Sequence, residues 1–417
     1  MSYKGFVFKL KPQKAQHEKL KQFAGSKRFV YNYFLDLAMK TYQQEQRQMG
    51  YNEMAGLLTQ LKRTEEYAWL NDMPSQALQQ GLMDLQSAFK NFFDKLKKGE
   101  IPTNPDGSWQ KRKDGRVKCS PRFKRKTNFE DTFRIPQHVE VKDNRVKLPK
   151  LGWVLFYKSR EVEGTVQSAT ISQYPSGFYI SILCELPDGT RPDTVDPTQE
   201  NSVGIDVGVS SLLVESNGHK VPSLNAYRKL EKKLKREQYR LSKKQKGSRN
   251  YFKQQYKIAR LHERIANMRQ DYAHQQSTRL IRENQAVFAE DLNIVGMMKN
   301  HNLAKSIADA SMGFVLETLE WKAKRDGKTF HKIDRWYPSS KTCSCCGYKL
   351  DDLQLSVREW TCPECNLEHD RDVNAAINIL LEGLRQVGAG HSQTSKTLVE
   401  DDRLLSPVKQ ESPDFSR

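Results

Sequence analysis

The sequence predicts an α+β multidomain protein, and three observations carry that expectation. An alternating apolar segment opens the chain ahead of a stretch with helical periodicity. Alternating segments separated by turn residues recur between 133 and 186. From 202 onward, strands, two long helices and paired cysteines follow one another. The 417 residues suffice for two or three domains, at roughly 100–200 residues each.

Composition narrows the class. Charged residues make up 29% and hydrophobic ones 37%, a globular balance lean in core, and the formal net charge is +19. So large a basic excess points to a polyanionic partner. No stretch reaches the ~18 consecutive apolar residues of a membrane span, so no membrane partner is expected. Residues 1–11 carry charges through their apolar positions and have no signal-peptide core. The expected location is the cytoplasm of a prokaryotic cell, with association to the nucleoid when bound. The seven cysteines are then reduced thiols or metal ligands, not disulfides.

Segment 3–9 alternates and is rich in aromatic and β-branched residues, so it reads as a strand. Residues 13–41 and 75–97 read as helices. In the second, Leu78, Leu82, Leu85, Phe89 and Phe92 fall three or four apart on one face, and Pro74 stands near the start, where a missing N–H costs little. Between 111 and 126 there are nine Lys/Arg against one acid, Asp114. Charge so one-sided reads as a basic loop that orders on a phosphate backbone, through Lys111, Arg112, Lys113, Arg122, Lys124, Arg125 and Lys126. Strands return over 133–186. Segments 139–141 and 146–148 flank Asp143-Asn144, and 165–174 and 178–186 flank Pro175-Ser176-Gly177, the pattern of a small antiparallel sheet or barrel. Three prolines between 187 and 201 mark a linker.

A second domain begins near Ser202. Segments 202–209 and 212–215 read as strands, and Asn217-Gly218 turns into a third. Residues 225–284 read as two helices broken near Gly247-Ser248, the second with Ile258, Leu261, Ile265, Met268 and Tyr272 on one stripe. From 225 to 285 there are eighteen Lys/Arg against five Asp/Glu, a local net of +13. A merely solvated hairpin would mix the signs, so a nucleic-acid face is expected through Lys232, Lys233, Lys235, Arg236, Lys243 and Lys244. A strand at 286–291, a helix at 306–325, a strand at 329–336 and a short helix at 372–382 complete the domain. The tail 383–417 is polar and is expected to be disordered.

Cys343-x2-Cys346 and Cys362-x2-Cys365 are separated by 15 residues. Each pair makes one metal knuckle, and four thiolates suit a tetrahedral Zn2+. With every ligand from the protein the zinc is structural. Gly347 supplies the turn after the first knuckle and Pro363 stiffens the second. Cys345 reads as a spectator, with an exchange for Cys343 or Cys346 left open. Cys119 and Cys184 are isolated thiols.

Three acids stand in contexts that suit divalent-metal chemistry. Asp206 lies in the apolar, glycine-flanked run Val203-Gly204-Ile205-Asp206-Val207-Gly208, where it carries a desolvation cost. Glu290 ends an apolar strand. Asp372 precedes Val373-Asn374-Ala375-Ala376, where a helix N-cap is the competing explanation. Metal-dependent hydrolysis of a phosphodiester uses several such carboxylates converging on two Mg2+ or Mn2+ ions.

The runs Gly204-Ile205-Asp206-Val207-Gly208, Glu290-Asp291-Leu292-Asn293, Ser339-Ser340-Lys341-Thr342-Cys343 and Asp370-Arg371-Asp372-Val373-Asn374-Ala375-Ala376 resemble TnpB, a family of transposon-encoded proteins related to the type V CRISPR effectors. Phe29-Val30-Tyr31-Asn32 and Pro74-Ser75-Gln76 also look like it, and the resemblance runs from about residue 1 to 381. It implies a wedge-type β-barrel (1–12 and 127–186) interrupted by a helical recognition insertion with the basic loop (13–126), and a linker at 187–201. A RuvC-like nuclease domain of RNase H-like fold (202–337) would follow, with an inserted zinc finger (338–368), a RuvC C-terminal element (369–382) and the tail.

The implied activity is RNA-guided cleavage of double-stranded DNA beside a short flanking motif. The guide RNA would come from the transposon end, and the protein is expected to act as a monomer. Asp206, Glu290 and Asp372 match the family's catalytic, metal-holding positions. The split of labour would follow the CRISPR effectors, with base pairing reading the target and protein reading the flanking motif. Rival readings are a strand-transferring transposase, an unguided RuvC-like nuclease and a guide-loaded DNA-binding repressor.

Overall fold

Strand β1 (Ser2–Lys11) alternates as its sequence does: Phe6, Phe8 and Leu10 are buried while Val7 faces solvent. The computed structural model describes residues 2–126, 131–187, 195–354 and 356–390. The expected linker lies partly outside these residues, and the polar segment 391–417 wholly so. The chain divides into two compact units, Met1–Thr190 with Leu230–Ala266, and Arg191–Lys229 with Asn267–Arg417.

In the first unit, β1 leads into α1 (Lys14–Glu45), α2 (Tyr51–Leu61), a 3-10 turn (Glu65–Asp72) and α3 (Ser75–Lys97). Strands β2 (Thr132–Ile135), β3 (Glu140–Lys142), β4 (Arg145–Leu148), β5 (Gly152–Phe156), β6 (Thr165–Tyr174) and β7 (Gly177–Leu186) follow. They join β1 in a seven-stranded antiparallel sheet of order β2-β6-β7-β1-β5-β4-β3. One core joins sheet and helices: Phe23, Phe34, Leu78 and Leu82 pack in the same cluster as Phe6, Phe133 and Phe178. The sequence reading missed α2, because residues 42–74 mix charges through a short apolar stripe.

The basic segment is more built than a bare loop. Its backbone forms two consecutive turns, bridged at Thr103–Trp109 and Lys111–Val117. Arg112 donates to Ser120 and Pro121, and Lys124 is held by Asp84 at 2.9 Å while its backbone exchanges two hydrogen bonds with Asn32. Lys111, Lys113, Arg122, Arg125 and Lys126 stay exposed.

The second unit opens with β8 (Ser202–Asp206), β9 (Ser211–Glu215) and β10 (Lys220–Pro222). Next come the long helices α4 (Ala226–Ser242) and α5 (Arg249–Glu283), whose stretch 230–266 clusters with the first unit. There, buried Gln254 donates to the Glu237 carbonyl and carboxylate, a polar tie inside the helical pair. Lys232, Lys233, Lys235, Arg236, Lys243 and Lys244 are all exposed. Strand β11 (Ala286–Glu290), helices α6 (Ile294–Met297), α7 (His301–Ala310) and α8 (Met312–Arg325), and β12 (Thr329–Ile333) follow. The short strands β13 (Glu359–Thr361) and β14 (Glu368–Asp370) precede α9 (Arg371–Gly390).

Several expected boundaries move: the strand expected over 202–209 ends at Asp206, and the helix expected to end at 41 runs to Glu45. The single helix expected over 306–325 is two, because Ser311 adopts a left-handed conformation (φ 56°) that closes α7 on the Ile307 carbonyl. The strand expected to reach 336 stops at Ile333. The helix expected to end at 382 runs to Gly390, so part of the expected disordered tail is helix. Among the described residues, no helix is long and apolar enough to cross a membrane.

The sheet order is β10-β9-β8-β11-β12, with β8 and β11 parallel and in register at Ala289↔Ile205. Alternation assigns its faces. Val203, Ile205, Val287 and Ala289 pack with α5, α7 and α8, while Ala286 and Phe288 pack with Ile379 and Leu380 of α9. Gly204 and Gly383 let α9 lie directly on the strands. A Cβ on Gly204 would meet the Ala376 carbonyl oxygen at 2.1 Å, and one on Gly383 would meet Phe288 Cδ1 at 2.2 Å. Glycine 383 therefore marks close packing and not a helix end.

Because the Gly204 obstacle is backbone, Gly204→Ala should destabilise the second unit by at least about 2 kcal/mol in chemical denaturation. Gly388→Ala, in the same helix with open space around it, should be neutral or slightly stabilising.

Candidate active site and zinc module

The period of two that buries Ala286 and Phe288 against α9 sends Glu290 to the same face. The same period carries Asp206 to the face of Gly204. Both acids are the last residues of adjacent parallel strands. The carboxyl ends of such strands are where an open α/β sheet places its ligands. The close approach of α9 brings in Asp372, in its first turn. The N-cap explanation of Asp372 fails: Asp370 Oδ1 accepts from the backbone N–H groups of Asp372 and Val373, at 3.1 and 3.0 Å, and so caps the helix itself. The Asp372 carboxylate is left for other work.

Electrostatics marks the cluster. Burial, then the negative charges of Glu290 and Asp372, push the Asp206 carboxyl up to about 7, against a smaller opposing pull from Arg371. Burial also raises Glu290, opposed by a hydrogen bond from the Ser339 hydroxyl. Two buried acids held above the usual carboxylate range, with the negative charge of Asp372 felt at Asp206, are a donor set short of positive charge. Divalent cations with hard oxygen preference would supply it, so the residues fit such ions.

Side chains that sequence reasoning passed over hold this arrangement. Arg358 Nη1 lies 3.2 Å from Asp372 Oδ1. Asn374 and Asn378 of α9 are buried. Asn378 donates to the carbonyls of Ser339 and Thr342 at 2.8 and 2.6 Å, and Asn374 donates to Thr342 at 2.7 Å while accepting from the Ser344 N–H at 2.9 Å. The two amides therefore strap segment 339–344 to α9. That segment carries the Ser339 hydroxyl to Glu290 at one end and Cys343 to the metal knuckle at the other. The visible signal was an asparagine at i and i+4 on one helix face, beside Asp372.

The sulfurs of Cys343, Cys346, Cys362 and Cys365 all lie within 4.8 Å of one another and could hold a metal ion. Gly347 at φ +79° and Asn366 at φ 60° close the two knuckles. Their backbones bond Cys343 N–H to the Tyr348 carbonyl and Cys362 N–H to the Leu367 carbonyl, at 2.8 and 2.9 Å. Cys345 is exposed and outside the cluster, as is Cys119, while Cys184 is buried in the first unit's core. His369, also missed, is buried against Trp360 with Nε2 3.0 Å from Cys343 Sγ, a neighbour that would steady a thiolate ligand.

Comparison with known proteins follows this division. Residues 181–301 match a family model described as "Probable transposase", 314–379 a "Cas12f1-like, TNB domain", and 1–47 a "Helix-turn-helix domain", which here spans β1 and α1. Two relatives bear the name "putative RNA-guided DNA endonuclease". That of Streptomyces pristinaespiralis is 36% identical over 390 residues, covering 93% of this chain and 91% of its own. InsQ of Escherichia coli K12 is 34% identical over 423 residues, covering 97% and 96%. A Cas12f1–sgRNA–target DNA complex solved by cryo-EM shares the fold at TM-score 0.50 and 17% identity, over 88% of this chain and 83% of that one.

Two outcomes are expected of the site. Asp206 binds its proton more tightly folded than unfolded, since its pKa rises from 3.8 to about 7. Its neutral form therefore favours the fold at low pH, and stability falls as pH rises from about 4 to 7. In zinc-loaded, magnesium-free protein, Asp206→Asn should melt several degrees above wild type at pH 8, with the gap closing towards pH 4. Asn378→Ala, which removes one donor from each of the Ser339 and Thr342 carbonyls and leaves them to Asn374, should cost about 1–3 kcal/mol. In a magnesium titration of nuclease activity it should raise the half-saturating concentration while zinc content stays at one per chain.

Proposed function

The chain belongs to the TnpB family of transposon-encoded, RNA-guided DNA endonucleases, and from that premise we propose that it cleaves double-stranded DNA at a site chosen by a guide RNA. The observation that carries the reading is the convergence of Asp206, Glu290 and Asp372, with Asp206 pushed up to about 7 by burial and by the other two. The second unit is read as a RuvC-type domain of RNase H-like fold. The support is its sheet, an antiparallel meander of β8, β9 and β10 continued by the parallel strands β11 and β12.

In this reading the three carboxylates hold two Mg2+ or Mn2+ ions, which when bound supply an activated water and neutralise charge on the leaving oxygen. The chain's own residues do the rest. Asp206 stands between its two partners and must give up its proton for the set to be filled. Ser339 orients Glu290 through its hydroxyl. Arg358 holds Asp372 and carries a cation to the edge of the site, where a phosphate would sit. Cys343, Cys346, Cys362 and Cys365 would hold a structural zinc that fixes the Cys343 end of segment 339–344. The first unit's sheet is read as the wedge domain, and its helical insertion as the reader of the flanking motif. The guide, derived from the transposon end, and its heteroduplex would be gripped through phosphates by the exposed lysines and arginines of 111–126 and 232–244.

With co-purified guide RNA and matching linear DNA, Asp206→Ala, Glu290→Ala and Asp372→Ala should each lower single-turnover cleavage more than about a thousandfold while target binding in a gel shift persists. Calcium should support binding and not cutting, because its looser coordination suits the reaction poorly. Loss of target binding in all three variants, or full cleavage in any one, would refute this assignment.

A further inference from the structure

Trp336 is the most exposed large hydrophobic side chain among the described residues, at 84%. Indole is a large apolar surface that folding normally covers, and no ring or cation packs on this one among the described residues. Nor is its exposure the result of a slack loop. The Trp336 N–H donates to Asp334 Oδ1 at 2.7 Å, Tyr337 N–H reaches the Asp334 carbonyl at 3.2 Å, and Ser339 N–H reaches the Tyr337 carbonyl at 2.9 Å. Arg335 Nε donates to the Asp291 carbonyl at 2.9 Å and its guanidinium pairs with the Asp291 carboxylate. Tyr337 turns inward against the α9 core. The backbone is thus held on both sides of a ring that is presented to solvent.

The place matters as much as the exposure. Ser339, three residues on, hydrogen-bonds Glu290, and Arg335, one residue back, binds the neighbour of Glu290. Three residues of chain span at most about 10 Å, so the backbone at Trp336 lies that close to Ser339, which bonds Glu290. A bare aromatic face held rigid beside a phosphodiester-cleaving centre fits one ligand class, an unpaired nucleobase. Every base has a π-face, so stacking positions a strand without reading its sequence. A guided nuclease whose cut site varies with its guide requires that tolerance.

We propose that Trp336 is a stacking platform for an unpaired DNA base next to the scissile phosphate, and that it positions the strand for cleavage. The proposal rests on the reading of Asp206, Glu290 and Asp372 as the cleavage centre. Stacking holds the base flanking the cut, which stops the phosphate from sliding along the cluster. Duplex DNA, its bases already stacked, gains nothing from the ring, so the preference is for single strand.

The test has two arms. In single-turnover cleavage by the guide-loaded protein, Trp336→Ala should be slower by roughly 5- to 150-fold, with Trp336→Phe recovering most of the rate and target affinity unchanged. A set of targets carrying one abasic site at successive positions around the cut should contain one position that slows wild type as much as Trp336→Ala does, and at which the variant loses nothing more. Equal rates for Trp336→Ala and wild type, or penalties that multiply at every position, would overturn the proposal. The second arm does not depend on cutting. In the Asp206→Ala complex, 5-iodouracil placed in turn at successive positions of the target strands should photo-crosslink to residue 336 at one of them, as mapped by mass spectrometry. A crosslink in a protein that never cleaves would sink the nuclease reading and keep the base platform, whereas cleavage without any crosslink at 336 would do the reverse.

Discussion

The backbone contact between α9 and β8 at Gly204 is the constraint on which the candidate site depends. A hydrogen atom is all that fits there, since any side chain would meet the Ala376 carbonyl and the Leu380 amide. That approach sets the height of α9 above the sheet, and Gly383 against Phe288 sets its direction. Together they decide where the first turn of α9 lies, and so where Asp372 stands relative to Asp206 and Glu290. Both contacts fall on the central turns of α9, at Ala376–Leu380 and at Gly383, so the helix is fixed along its middle.

Burying Asp206 beside two other carboxylates works against the fold, and burial first, then their charges, push its carboxyl up to about 7. Such a cluster needs an external frame. Segment 339–344 supplies it, strapped to α9 by Asn374 and Asn378, bonded to Glu290 through Ser339, and anchored in the cysteine knuckles through Cys343. Arg358 reaches Asp372 from the same cysteine module. The module therefore reaches two of the three acids, Glu290 through Ser339 and Asp372 through Arg358, so the geometry of the cysteine knuckles bears directly on theirs.

Basic residues divide into those committed to the fold and those left free for a polyanion. Arg112 and Lys124 are held by protein partners, as are buried Lys322, which donates to Ser277 and Thr278, and Lys328, which closes the end of α5 on carbonyls. In 232–244 the division runs within one helix: Lys235 pairs with Glu231, and Arg236 and Arg240 with Glu237, while Lys232, Lys233 and Lys244 stand exposed beside them. Charge density alone could not separate these sets, because a lysine reads the same in sequence whether a carboxylate 40 residues away meets it or not.

The sequence by itself determined the strands and helices whose signals are local. Strand β6 and helix α3 fell on their expected residues, and the two cysteine pairs were legible because ligand spacing is a covalent property of the chain. It also singled out Asp206, Glu290 and Asp372, through an apolar strand context and a run resembling a known family. The helix break at Ser311 was not legible, since a left-handed serine leaves no mark in apolar periodicity. Nor was the extension of α9 past Gly383, where glycine signals a stop unless a phenylalanine ring fills the space of its side chain. Tertiary structure alone decided that Asp370 and not Asp372 caps α9, that Asn374 and Asn378 hold Ser339, and that Arg358 meets Asp372. The cap is local and either acid suits it, so only the folded helix chooses between them, whereas the asparagine contacts join segments more than thirty residues apart, which no local pattern encodes.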